Sequence, residues 1–158
     1  MPENNKYSEI KEKCIKNLRS LGYTVDTSHE EKGNVRIYRE HSGEKFALAD
    51  VDIVGIKKGA IKLIVEIEED DTPKTVLGDV AVVDMANLCL ARMAGSDRKM
   101  VPLTGVVLFI VTPASKERAT IDMLRDSYDF MSGSLRDFIV TTEDEFEDEL
   151  NEMELYMV

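Results

Sequence analysis

Four carboxylates define the chemistry open to this chain. Asp50 and Asp52 stand two residues apart in Ala49-Asp50-Val51-Asp52, and Glu66 and Glu68 stand two apart in Val65-Glu66-Ile67-Glu68. Their β-branched, alternating surroundings predict two strands, so each acidic pair shares one strand face. Lys57-Lys58-Gly59 between them reads as a hairpin turn. If the acidic faces match, three or four carboxylates converge at mid-sheet, with Asp50, Asp52 and Glu66 as candidate metal ligands. Clustered carboxylates repel one another and are costly to desolvate. An all-oxygen set of this kind suits a hard divalent cation, Mg²⁺ or Mn²⁺. A solvated sheet face, with Lys62 as cross-strand partner, is the plainer alternative. Against it, the acids interrupt apolar strands, and the same row carries Leu48, Val54 and Ile64.

The elements that must position these groups follow from periodicity. Ile10, Cys14, Leu18 and Leu21 predict a helix over 7–21, with Gly22 beyond its end. Strands are expected at 23–27, 35–40, 46–56 and 60–68, with turns at 28–34 and at His41-Ser42-Gly43-Glu44. Thr72-Pro73 is a helix start, and the apolar set from Val76 to Ala91 carries that helix to about Ala94, with Gly95 stopping it. The run Val80-Ala81-Val82-Val83 also permits a strand. A polar loop over 96–99 follows. Gly105–Thr112 is a continuous apolar run between Pro102 and Pro113, as a strand buried on both faces would be. A helix over 115–130, a strand over 136–141 and an acidic helix opening at Thr142 complete the chain. The expected architecture is one α/β domain over 1–158. Its mixed sheet has a front antiparallel meander and a later parallel strand, with helices on both faces.

The 158 residues suffice for one core, and 43% hydrophobic content is that of a globular chain. No apolar run is long enough to span a bilayer, and the N-terminus has no signal pattern. Cys14 and Cys89 read as buried reduced thiols, which predicts a cytoplasmic protein. His29 and His41 fall in expected turns without ligand spacing, which argues against zinc. The net charge of −11 is unevenly spread: residues 101–158 hold thirteen acids against four bases, and eight of residues 143–154 are acidic. The front of the chain is near neutral, with Arg36, Arg39, Lys57, Lys58 and Lys62 available to a polyanion.

The order of elements, with acids on two adjacent strands, resembles the restriction-endonuclease-like, or PD-(D/E)XK, nuclease superfamily over about residues 7–112. The resemblance implies a core of a helix, a three-strand meander, a crossover helix and a further parallel strand. It implies Asp52, with Asp50 as the alternative, as the motif Asp, and Glu66 as the first acid of the following pair. Glu68 stands where that pattern has Lys, and Val51 where it has Pro. Lys62, on the same strand face as Glu66, or Lys74 is then a displaced lysine, and Glu9 or Glu12 a first-helix acid. The implied activity is a hydrolase: an endonuclease using Mg²⁺ or Mn²⁺ on DNA or RNA, with Asp52, Glu66, Glu68 and Lys62 catalytic. The other reading is a catalytically inactive module of the same fold, binding or oligomerising as a homodimer through helix 73–94.

Overall fold

A computed structural model describes residues 2–28, 33–93, 97–113, 115–130 and 132–156, and the side chains from residue 6 onward. His29 and Gly95 lie outside the described residues. The first helix, α1 (Pro2–Ser20), ends in a paired cap: Gly22 N–H donates to Arg19 O and Tyr23 N–H to Leu18 O. Gly22 takes φ +92°, which a side chain resists.

The strands are β1 (Thr24–Thr27), β2 (Val35–His41), β3 (Glu44–Val51), β4 (Ile53–Lys57), β5 (Ala60–Ile67), β6 (Leu88–Ala91), β7 (Lys99–Pro102), β8 (Val106–Thr112) and β9 (Leu135–Thr142). The further helices are α2 (Pro73–Met85), α3 (Arg118–Ser127) and α4 (Phe146–Tyr156). They form two sheets. One has five strands in the order β1-β4-β5-β8-β9 and the other four in the order β3-β2-β6-β7. In the larger sheet β4 runs antiparallel to both neighbours, while β5, β8 and β9 are mutually parallel. A mixed parallel and antiparallel sheet with helices on both faces is present as expected, but the single sheet is not: β2 and β3 leave the expected meander to pair with β6 and β7 in a second, antiparallel sheet.

Two cores fill the faces of the larger sheet. On one side Ile10, Cys14 and Leu18 of α1 and Phe146 and Leu150 of α4 pack with Ile53, Leu63, Val65, Val107 and Phe109. On the other, Val76, Val80 and Val83 of α2 and Ile121 of α3 join Ile64, Leu108 and the inner face of the smaller sheet. β8 is buried at every residue, as its unbroken apolar run requires.

Three further expectations need correction. The stretch predicted as one strand over 46–56 is two, β3 and β4, in different sheets, and Asp52 is the residue between them. The helix predicted to reach Ala94 ends at Met85. Ala86 turns the chain, Asn87 exchanges side-chain hydrogen bonds with the backbone of Glu40, and Leu88–Ala91 pairs with β2. The residues Val80–Val83 remain helical. Part of the predicted 96–99 loop opens a strand, β7, which pairs with β6. Both proposed hairpin turns hold: Ser42-Gly43 and Lys58-Gly59 each take two positive φ angles, a type I′ arrangement.

Candidate metal centre

The break between β3 and β4 builds the site. Val51 still pairs with Val35 in the smaller sheet, and Ile53 already pairs with Val65 and Thr27 in the larger one. Asp52 between them has its backbone N–H free of both ladders, and it donates to Glu66 Oε1 at 2.8 Å. Its carboxylate is held from two sides. Tyr7 Oη donates to Oδ1, and Ile67 N–H donates to Oδ2 at 2.8 Å. Ser28 secures the same junction, its N–H donating to Asp52 O at 3.1 Å and its hydroxyl to Val51 O at 2.5 Å.

Glu66 near the end of β5 and Glu68, one residue past it, meet Asp79 of α2. One oxygen from each of the three lies within 4.8 Å of the others. Asp79 Oδ2 is buried and has no hydrogen-bond partner among the described residues. The titration behaviour follows from this crowding. Burial pushes the Glu66 carboxyl well above the ordinary range, and the Asp52 charge adds to the effect. Burial pushes Asp79 up to about 8, with the neighbouring Glu68 carboxyl contributing. The donor set is oxygen throughout, the crowded acids resist ionising together unless a cation offsets their charge, and one buried oxygen lacks a donor. These residues fit a hard divalent cation. A cleft of about 280 Å³ lined by Lys6, Tyr7, Glu68 and Pro113 opens beside them.

Of the residues singled out from sequence, Glu66 and Glu68 share the three-carboxylate cluster. Asp52 adjoins it through its N–H on Glu66, but its carboxylate is taken up by Tyr7 and the Ile67 amide, and Asp79 stands in the cluster where Asp52 was expected. Asp50 is not part of the site. It lies on β3 in the smaller sheet, where Arg36 Nε binds it at 2.6 Å and Asn34 at 2.8 Å. The Arg36 guanidinium holds its carboxyl below the usual range. Lys62 is also elsewhere. Gly55 pairs with Leu63 and Ile56 with Ile61, so Lys62 is an extra residue in β5 and the alternation that placed it beside Glu66 fails. At four residues from Glu66 it sits about 13 Å along the strand. Glu9, Glu12 and Lys74 are exposed.

Two site residues went unrecognised. Asp79 falls at helical spacing among Val76, Val80 and Val83, an acid on the buried stripe of its helix. Tyr7 lies three residues before Ile10 on the stripe that continues through Cys14 and Leu18. Either position could have been flagged as a polar group aimed inward.

Asp71, at the entrance to α2, shapes the rim. Burial works to raise its carboxyl, but N–H groups of Glu117 and Lys116 and the Ser115 hydroxyl donate to it, and the net effect is a lowering. It thereby pins the segment leading into α3. No described helix is long and apolar enough to cross a membrane. Protein-family models, curated proteins and solved structures all yield no match to this chain.

Proposed function

We propose that this protein is a divalent-metal-dependent hydrolase of phosphodiester bonds in nucleic acid, built on a restriction-endonuclease-like core. The observation that carries the reading is the meeting of Glu66, Glu68 and Asp79 beside a fixed Asp52. The order of α1, the antiparallel trio β1-β4-β5, α2 and the parallel β8 supports it, with β2 and β3 as an insertion between the first two strands of the trio.

Glu66, Glu68 and Asp79 would hold Mg²⁺ or Mn²⁺. Such an ion supplies a bound water of lowered pKa and neutralises charge on a phosphate. Asp52 is anchored by Tyr7 and the Ile67 amide, and it fixes Glu66 through its own N–H. Without metal, burial keeps Asp79 protonated up to about 8; a bound cation would favour its ionised form, so loading the centre would release that proton. Glu68 occupies the position where the resembling nucleases carry Lys. The cation lining the adjacent cleft is Lys6, which is ion-paired to Glu143 at 2.5 Å.

Calorimetric titration with Mn²⁺ tests the centre. Binding should be lost in Asp79→Asn and in Glu66→Gln, and cleavage of single- or double-stranded DNA or RNA should need both the metal and these acids. Equal Mn²⁺ binding by the variants would falsify the centre. The Glu at position 68 favours a second reading, a metal-binding module without catalysis. Mn²⁺ binding with no cleavage of any of those polymers selects it.

A further inference from the structure

The end of the larger sheet away from the carboxylates carries a second concavity, of about 350 Å³, bounded by the β4–β5 turn, the start of β9 and α4. Lys57, Lys58, Lys62 and Arg136 line it, with Glu154 as its acid, over an apolar floor that includes Ile61 and Met153. Lys57 is already engaged. It donates to Leu21 O, lies 3.3 Å from Glu154 and covers the Tyr23 ring at 4.6 Å. Lys58, Lys62 and Arg136 form no ion pair among the described residues. Three cations outside those ion pairs thus border one hollow of a chain whose net charge is −11.

Two local irregularities put them there. Lys58 takes φ +55° at the first central position of a type I′ turn, where Asn, Asp or Gly is favoured and a Cβ is strained. Lys62 is the bulged residue of β5, and a bulge re-aims the side chain it carries. The backbone thus departs from regularity twice on one strand pair, each time delivering a lysine to the same pocket.

We propose that this pocket binds phosphate, as carried by a nucleotide or by a nucleic-acid strand. Arg136 offers a two-pronged donor fork, Lys58 and Lys62 offer point charges, and the apolar floor faces the uncharged part of the ligand. The volume falls within the range of small-ligand sites. The assignment stands apart from the metal centre and is tested without it.

The experiment uses the full chain in EDTA at low salt, with a fluorescein-labelled single-stranded oligonucleotide read by anisotropy and with ATP and pyrophosphate as competitors. The wild type should bind the oligonucleotide. Lys58→Asn combined with Lys62→Ala and Arg136→Ala should weaken binding at least tenfold, by the loss of three phosphate contacts, and should lower the salt slope by about two. Displacement by ATP or pyrophosphate identifies a compact phosphate ligand, and no displacement identifies a strand backbone. Lys58→Asn alone should weaken binding while raising Tm by about 2 °C, because Asn relieves the turn. Failure of the wild type to bind either class of probe overturns the proposal, as does wild-type affinity in the triple variant. A Lys58→Asn protein that loses Tm as well as affinity also overturns it, since Lys58 would then be structural. Mn²⁺ binding by the triple variant, measured separately, should be unchanged.

Discussion

At the scale of residues, Asp79 carries the clearest thermodynamic signature. Its carboxyl titrates near 8 in the folded chain and near 3.9 when unfolded. Below pH 4 both states hold the proton. Between about 4 and 8 the folded state holds it and the unfolded state has released it, so fewer protons are bound on unfolding and stability falls as pH rises. Above 8 the penalty is constant. The metal-free protein should therefore lose Tm from pH 5 to pH 8, and Asp79→Asn should flatten that decline. Mn²⁺ should restore the loss at pH 8, adding about 2.7 kcal/mol when present at one hundred times its Kd. A flat thermal profile across this range without metal would sink the protonation argument. Glu66 acts in the same direction.

At the scale of elements, the end of α2 is tied to the segment leading into β9 at a tight joint. A Cβ on Gly133 would stand 2.1 Å from Asp84 Oδ1 and 2.4 Å from Asp84 O. Asp84 is buried, accepting from Tyr128 Oη at 2.6 Å and Leu135 N–H at 3.0 Å. Gly133→Ala must push this joint apart and should cost about 2 kcal/mol or more in chemical denaturation. Wild-type stability would contradict the packing. The same element shows what could be read from sequence. The start of α2 at Thr72-Pro73 was legible, because Pro at the first position and an extended Thr before it are local chemistry. Its end was not, because Leu88–Ala91 is apolar enough for either state and its pairing with β2, some fifty residues earlier, decides. Asp52, Glu66 and Glu68 were legible as acids within apolar strands. Asp50 was misread by the same alternation, which cannot register that a strand changes sheets after Val51. Shortening α2 also alters the expected dimer helix. Val76, Val80 and Val83 serve its own core, leaving Leu77 and Met85 outward.

At the scale of the whole molecule, two sheets share one chain and one core, and two polar fastenings across them stand out among the described residues. Asp26 of β1 is 6% exposed and receives Arg98 Nε at 2.9 Å and Arg92 N–H at 2.8 Å, both donors flanking strands of the other sheet. Burial opposes ionisation there, but the Arg98 guanidinium prevails and holds the carboxyl low. Asp26→Ala removes the carboxylate that accepts from the Arg98 guanidinium and the Arg92 amide and should cost about 3 kcal/mol in urea unfolding, with little relief from added salt. A loss under 1 kcal/mol would mean that the pair is dispensable.

The second fastening is the passage of the chain from β3 to β4, and it has a kinetic consequence. The Ile67 amide is protected by the carboxylate of Asp52, a residue whose position depends on the smaller sheet. Its solvent exchange should therefore follow the opening of β2 and β3, although Ile67 itself lies in the larger sheet. An amide in one layer would then keep time with the breathing of the other, and the carboxylate centre would be dismantled and remade at that rate.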